Sequence, residues 1–510
     1  MEVGGEGERY WRALQLAGRL PFAPMGVRPY DGIQLTADST HPWRARWPVA
    51  GQADTRGGRW ASWQLLRPGA RLTWNSGVPA GNEVGPAWTG RGVSGELRAG
   101  VRAQLWRVQL QLEPVAWLAQ NQRFALVNEQ AVGNRDPRFA GSIDLPQRPG
   151  SGAYGRLDWG NSAAWVALPL VNVGLSTRAQ LWGPAREFPL MLSANAGGFP
   201  HLFAGTRAGL PLGVGRLHAR VMGGAPPQSR WSPLPDSTRR WALGVVTSFT
   251  PRGIPGLEVG ATRFIHALTD RAWPSASDYR RLVTGGLSGT GELNLAAENQ
   301  LASAFFRWQV PGARFAAYGE LLRDDYSLDL RRSLQYPDDL RSYLLGVERV
   351  LRADPASLRV LHAELVNGEL PSSNRAERGG QGEVRQLGAP FPPYLHAGVL
   401  QGHTARGQLL GSPTAYGGAG WRVGYTAFSA AGRRTVRVER QMRLDWLAGL
   451  PGNAFVSREV RYGVLLEQLR FRGAQELLLT VAPSVDLNRG LERGRHTVNL
   501  RVAATVRGLR

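Results

Sequence analysis

The side chains best suited to binding chemistry crowd into one stretch, Trp182-Gly-Pro-Ala-Arg186-Glu-Phe-Pro-Leu-Met-Leu-Ser-Ala-Asn195-Ala-Gly-Gly-Phe199-Pro-His201-Leu-Phe203-Ala-Gly205-Thr206. Its prolines and glycines forbid a regular strand, so Arg186, Asn195, His201 and the aromatic rings are expected on irregular backbone. Aromatic faces stack on the C–H groups of a sugar ring, while Arg and Asn donate to hydroxyls and carboxylates. The same stretch could instead be an inward-folded loop that only fills a barrel. A second concentration is acidic: Asp324, Asp325 and Asp329, followed by Asp338 and Asp339. Such carboxylates could hold Ca²⁺ in a loop or face one another across a glycosidic bond. They could equally pair with Arg323, Arg331, Arg332 and Arg341 in a polar loop. The eight histidines (His41, His201, His218, His266, His362, His396, His403 and His496) are scattered, none at metal-ligand spacing. HExxH, Walker, GxSxG and helix-opening GxGxxG signatures are missing. No enzyme, metal site or cofactor is expected.

The elements that would position these residues are strands. From His496 onward, Val498, Leu500, Val502, Ala504 and Val506 fall on one face, and Thr497, Asn499, Arg501, Thr505 and Arg507 on the other. The pattern takes over from Arg71: the same ribbon recurs in Trp106 to Glu113, in Arg216 to Val221, and near 91–101, 163–169, 171–181, 240–250, 256–266, 301–310, 313–322, 341–351, 357–367, 394–400, 418–429, 433–442, 457–469 and 474–484. Segments of about ten residues, apolar on one side and polar on the other, are what a membrane-spanning β-barrel requires. Long Pro- and Gly-rich loops at 223–237, 370–393 and 404–417 alternate with tight turns, the asymmetry of an outer-membrane barrel.

Composition is compatible with this and excludes one alternative. Hydrophobic content is 43% and mean hydropathy −0.26. No apolar run approaches the roughly 20 residues of a spanning helix, so a helical membrane protein is excluded. Cysteine is absent, which removes disulfides and thiol chemistry. The net charge is +22, from 61 basic and 39 acidic residues, and every basic residue is arginine. Such an excess favours anionic partners, lipopolysaccharide and acidic polysaccharide among them. The arginines are spread along strands instead of gathered in one aromatic-studded patch, so nucleic acid is not an expected partner. Arg107, Arg216, Arg220 and Arg501 would face inward and make a positive lumen, or pair with Glu113, Glu348 and Glu467 to stiffen a plugged barrel.

The first sixty or so residues differ. Glu8 to Leu20 puts Trp11, Leu14 and Leu16 near one helical face, ended by Gly18 and Pro21, and a second short helix is expected over about Arg59 to Leu66. Met1 to Gly7 is acidic and the next stretch is amphipathic, so no signal peptide is visible; the expectation is a chain that was processed or starts downstream of the true start. The chain ends Gly508-Leu509-Arg510, without a terminal aromatic. The expected division is 1–68, a periplasmic helical appendage with Pro-rich connections, and 69–510, the barrel.

At several of these blocks the chain resembles the Wzi-type capsule assembly proteins of the outer membrane. The blocks are Tyr10-Trp-Arg-Ala-Leu14-Gln15, Val27-Arg28-Pro29-Tyr30, Trp74-Asn75-Ser76-Gly77, Trp88-Thr-Gly90-Arg91-Gly92 and Trp117-Leu-Ala-Gln120-Asn121. They continue with Ile143-Asp144-Leu-Pro146-Gln-Arg148, Tyr154-Gly155-Arg156-Leu-Asp158, Trp182 to Thr206 and Asn299-Gln300-Leu301-Ala302 with Arg307-Trp308. The last are Tyr318-Gly319-Glu320, Asp324-Asp325-Tyr326, and His396 with Gln401-Gly402-His403-Thr404-Ala-Arg406-Gly407-Gln408-Leu-Leu-Gly411. The resemblance implies an all-β fold: a transmembrane antiparallel β-barrel of about 18 strands with a small N-terminal helical periplasmic appendage. It also implies a non-enzymatic surface lectin of the bacterial cell outer membrane that holds and organises capsular polysaccharide. The expected partners are capsular or other surface polysaccharide, outer-membrane lipid and lipopolysaccharide, with the protein acting as a monomer. The candidate polysaccharide contacts are Trp182, Arg186, Asn195, Phe199, His201 and Arg207, with Asp325, His396 and Arg406 from later loops. The alternative is an outer-membrane porin or sugar/anion channel, whose lumen would carry similar charge.

Overall fold

The computed structural model describes residues 3–29, 43, 56–57, 60–81, 85–127, 143–271, 273–284, 298–310, 312–324, 337–338, 340–354, 357–369, 392–396, 398–443 and 457–508. Eighteen antiparallel strands close on themselves. They are β1 (Ala61–Asn75), β2 (Gly92–Leu105), β3 (Val108–Leu112, resuming as Val115–Ala119), β4 (Tyr154–Asp158, resuming as Ala163–Ala167), β5 (Val171–Ser176) and β6 (His201–Thr206). Next come β7 (Gly215–Gly224), β8 (Arg239–Pro251), β9 (Leu257–Thr269), β10 (Glu298–Val310), β11 (Phe315–Asp324) and β12 (Arg341–Asp354). The circle is completed by β13 (Ser357–Asn367), β14 (Ala419–Ser429), β15 (Gly432–Arg443), β16 (Glu459–Arg472), β17 (Gln475–Leu487) and β18 (Thr497–Arg507). The seam joins β18 to β1, with Val502 opposite Trp74 and Arg507 opposite Gly69.

Period-two alternation sets which face each residue takes. Val498 is 71% and Val502 39% exposed on the outside, whereas Asn499 is buried inside. Leu65, Leu97, Leu118, Leu157 and Leu345 continue this outward apolar band around the barrel. Trp63, Trp106 and Trp308 lie near one rim and Trp74, Trp273 and Trp421 near the other, the girdle positions of a membrane barrel. Connections at the first rim are short, as in Asp354 to Ser357 and Ser429 to Gly432; those at the second are long.

The interior is packed with the protein's own chain. Helix α1 (Glu6–Leu16) lies inside the short-turn rim, where Tyr10, Trp11, Leu14 and Leu16 pack on Ala316, Val350, Leu358, Phe428 and Leu469. Gly18, at φ +72, ends it: its N–H donates to the Gln15 carbonyl, and the Arg19 N–H to that of Leu14. From the long-loop rim, segment 177–200 and residues 392–396 and 398–418 descend into the lumen. Phe188, Leu190, Met191, Leu192, Tyr394 and Leu410 bury against Phe264, Leu301, Tyr318 and Leu344 of the wall. The two sets meet in a short ladder, Val27–Arg28 against Leu181–Trp182.

Irregular backbone inside a barrel needs hydrogen-bond partners, and wall carboxylates supply them. Glu364 on β13 accepts from the backbone N–H groups of Arg186 (2.9 Å), Glu187 (3.0 Å) and Phe188 (2.6 Å), and from the Tyr318 hydroxyl at 2.7 Å. Glu258 on β9 accepts from Met25 (2.7 Å) and Gly26 (2.8 Å), and Asp324 from Tyr394 at 2.6 Å. Guanidinium groups complete the attachment. Arg12 and Arg186 both hold Glu348, and Arg433 bridges Glu6 and Glu467.

Several local expectations are revised. The stretch expected to be helical from Arg59 to Leu66 is strand from Ala61, because Trp63 and Leu65 alternate outward as lipid-facing residues. Residues 394–400 form no strand; their described part belongs to the interior packing, with Tyr394 and Leu395 buried. A regular strand does occur in the Trp182 to Thr206 block: β6 starts directly after Pro200 and pairs with β5 and β7. Arg107 is exposed in the β2–β3 turn over Trp106, whereas Arg220 points inward over Phe203. The arginines on Glu348 and Glu467 come from α1, segment 177–200 and β15, not from the four named from sequence.

Outside the barrel, a second helix, α2 (Ala276–Thr284), lies against the outer wall near the long-loop rim. Leu282 and Tyr279 cover Trp241, Leu243, Ile265 and Ala267. The outward-facing Arg263 donates to the Leu282 carbonyl at 3.1 Å.

Replacing Glu364 by Ala strands three backbone N–H groups and a buried hydroxyl. The expected cost is about 3 kcal/mol, read as a lower thermal midpoint of the detergent-refolded barrel, with Glu364→Gln falling between. An Ala variant melting with the wild type would show that this attachment contributes nothing.

Candidate functional site

Most residues nominated from sequence serve the interior. Trp182 is fully buried, its ring 6.2 Å from that of Phe264. Arg186 is paired with Glu348 at 3.2 Å. Asn195 ties two interior segments together by donating to the Leu409 carbonyl at 2.6 Å. Phe199 is buried, and its carbonyl lies 2.7 Å from His201 Nδ1, whose Nε2 contacts Gln180. Arg207 sits at the short-turn rim, donating to the Leu168 carbonyl at 3.2 Å. His396 Nδ1 accepts from the backbone of Gly398 and Val399. Asp325 lies outside the described residues, as do Asp329 and Asp339. Arg406 lines an open cleft.

That cleft is shallow and opens at the long-loop mouth. Trp88, Trp117, Tyr154 and Trp231 frame it, with Arg156 and Arg406 between them. Trp117 and Tyr154 stand on the mouth ends of β3 and β4, and alternation points both inward. Their rings meet edge to face at 5.1 Å, and Tyr154 meets Trp231 likewise at 5.2 Å.

Each loop residue is held from beneath. Asp144 accepts from the Ser229 amide at 2.7 Å and from its hydroxyl, and Ser229 Oγ in turn accepts from Trp231 N–H at 3.1 Å. Burial pushes the Asp144 carboxyl up, while the two Ser229 hydrogen bonds oppose that. Arg240 on β8 donates to the carbonyls of Gly402 and Thr404, both at 2.7 Å, fixing the loop that carries Arg406. Gly407, at φ +78, lets that loop turn; a Cβ there would lie 3.0 Å from Pro146 Cδ.

The electrostatics are unevenly shared. Arg156 Nε and Arg406 Nε each lie 3.4 Å from the same oxygen, Asp158 Oδ2. Arg406 also donates to the Gly198 carbonyl at 2.6 Å, and Arg156 to that of Pro86 at 3.3 Å. Trp117 is 5% exposed, and its Nε1 has no hydrogen-bond partner. Aromatic faces, guanidinium donors and an indole N–H suit a sugar ring with polar substituents. Among the described residues no group of three His, Asp or Glu is placed to hold a metal ion.

Sequence reasoning passed over Trp88, Trp117, Tyr154, Arg156 and Trp231 as ligand contacts. A usable signal existed: Trp117 and the Tyr154-Gly-Arg156 triplet end strands beside a loop carrying Pro146 and Pro149. Joining them to Trp231 and Arg406 requires the barrel's circumference, which no local pattern contains.

Fold and cleft together define a class: a closed outer-membrane-type β-barrel with a filled interior and an aromatic, arginine-bearing mouth. No protein-family profile and no curated protein matches the chain. Among solved structures it is similar to Wzi of Escherichia coli, described as an outer-membrane protein involved in group 1 capsule assembly and a carbohydrate-binding β-barrel. That likeness has a TM-score of 0.57 at 14% identity and covers 86% of this chain and 84% of Wzi. OccK9 of Pseudomonas aeruginosa gives a TM-score of 0.41 at 11% identity, over 88% and 98% of the two chains. OccAB3 of Acinetobacter baumannii gives 0.41 at 9%, over 87% and 98%.

Interior histidine chemistry has a measurable consequence. His403 Nε2 lies 2.7 Å from the Met191 carbonyl and its Nδ1 2.8 Å from His266 Nε2, joining the interior to β9. Burial pushes His403 from 6.5 down to about 4, against the Met191 hydrogen bond and with help from Arg240. A depressed value means the folded state resists protonation, so its stabilisation is full above pH 6.5 and drains as pH falls toward about 4. Fully expressed, the loss is about 3 kcal/mol. The His403 contribution to the thermal midpoint is therefore flat above pH 6.5 and falls below it. Glu187 contributes only lower down. Burial raises its carboxyl, but Arg437, His362 and Arg422 hold it well below the usual range. A midpoint unchanged between about pH 6.5 and 5 would contradict the histidine account.

Proposed function

We propose that this protein is a non-enzymatic outer-membrane barrel that binds surface polysaccharide, capsular polymer in particular, and helps attach and organise it on the cell. The short turns then face the periplasm and the long loops the exterior, the usual orientation of such barrels. The observation that carries this reading is an open aromatic and arginine cleft at the mouth of a lumen otherwise packed with the protein's own chain. Polymer chains binding there meet ring faces at the cell surface and a packed interior beneath. The likeness to Wzi, a carbohydrate-binding barrel of capsule assembly, supports the same reading. A porin or sugar/anion channel needs a water-filled passage, and the buried cluster running from Trp182 through Tyr394 to Leu491 weighs against one. In this reading the apolar belt meets outer-membrane lipid and lipopolysaccharide, and a single chain suffices.

The test is binding of detergent-refolded protein to surface polysaccharide purified from the producing cells, with planar-bilayer conductance recorded on the same preparation. Saturable binding without conductance is expected. Trp231→Ala should weaken it by about 1 kcal/mol, roughly fivefold. Conductance without polymer binding would replace this reading with the channel.

A further inference from the structure

We infer that the mouth cleft selects a carboxylated sugar residue, such as a uronic acid, whose carboxylate takes over the guanidinium contacts that Arg156 and Arg406 now share on Asp158. This rests on the polysaccharide reading and goes further, by assigning the chemical class of the residue recognised and the side chains that recognise it.

Two guanidinium groups and one carboxylate leave one positive charge in a half-enclosed cleft. Both contacts to Asp158 are 3.4 Å long and fall on a single oxygen. The strong form of this interaction is shorter and often bidentate. It is realised elsewhere in the same protein, where Arg461 grips Asp486 at 2.6 and 2.8 Å through two separate oxygens. In the cleft, Asp158 Oδ1 is instead committed to the Gly160 N–H at 2.9 Å. The arginines are thus held in place with hydrogen-bonding capacity left over. Arg406 is braced by the Gly198 carbonyl and by its own N–H donating to Pro227 at 2.7 Å, so it is poised and not free to swing.

The surroundings then specify a sugar and not a bare anion. Arg156 lies over Trp117, its Cζ 5.5 Å from the ring centroid, so guanidinium and indole present one continuous surface. The unpartnered Trp117 Nε1 adds a buried donor beside that surface. A pyranose bearing a carboxylate matches all three: its C–H face meets Tyr154 or Trp231, a hydroxyl or ring oxygen meets the indole N–H, and the carboxylate meets the arginines. A neutral sugar would leave the surplus charge unmatched, in a site partly withdrawn from water where an unpaired charge is costly.

The full-length, detergent-refolded protein is titrated with surface polysaccharide from the producing cells and with the same polymer after carboxyl reduction, which converts uronates to neutral hexoses. Reduction is expected to weaken binding about tenfold or more. Arg156→Gln and Arg406→Gln should each lose about tenfold for the native polymer and little for the reduced one. Asp158→Asn should move the other way, binding the native polymer several-fold more tightly by freeing both guanidinium groups, with no gain for the reduced form. A variant that merely damaged the mouth could not tighten binding. Equal affinity for native and reduced polymer, or saturable binding of a polymer without carboxylates, overturns this inference and leaves the polysaccharide reading standing. Weaker native binding by Asp158→Asn overturns the exchange of carboxylates. Binding of neither polymer takes down the reading beneath it.

Discussion

The structure depends on carboxylates that project from the wall into the lumen. A strand ladder satisfies the wall's own backbone, but chain folded into the lumen has no neighbouring strand to pair with. Each amide it brings in must find an acceptor, or its desolvation goes uncompensated. Glu258, Glu364 and Asp324 are those acceptors, at three places on the circumference. Their negative charges in turn explain why arginines are useful inside. Arg12, Arg186 and Arg433 neutralise the remaining wall and helix carboxylates while adding further hydrogen bonds. The apolar packing of Phe188, Leu190 and Met191 could occur in many registers; the carboxylates select one.

Much of the barrel is legible in the sequence because alternation is a local property. Val498, Leu500 and Val502 face outward and Asn499 inward for reasons visible within five residues, and the same holds for most of the wall. Reading failed where two local rules competed. At Ala61 to Leu66, Trp63 and Leu65 fit a strand, but Trp60, Trp63 and Leu66, three apart, fit a helical face, and only the partner strand β2 decides. At His201 to Thr206, flanking prolines and glycines mask a strand that is short enough to need neither of its ends. The candidate site was harder for a different reason. Arg406 was visible as a loop arginine, but its cleft partners come from five separate connections and strand ends. Conversely, the dense block around Arg186 and Asn195 attracts attention because interior packing and sugar binding draw on the same residue types.

The two helices divide between the two faces of the wall. Helix α1 replaces solvent inside the short-turn rim, while α2 replaces membrane outside the opposite rim. Arg263, an outward arginine in an apolar band, is tolerable because α2 covers it and offers the Leu282 carbonyl. The belt is therefore uneven around its circumference, and β7 to β9 are covered by a helix where other strands present leucine and valine.

The ladder between Val27–Arg28 and Leu181–Trp182 has a mechanical consequence. One of its strands comes from the short-turn end and the other from the long-loop end, and Arg28 further clamps the carbonyls of Gly183 and Ala185. The two rims are thereby connected through the middle as well as around the wall. A pull on the mouth loops does not end in a flexible hinge. It runs along segment 177–200 into the ladder, through Arg12 and Glu348 into β12, and spreads over the hydrogen bonds of a closed sheet. The barrel is thus tied across its middle, so that load on one rim is carried by the other and by the wall between them.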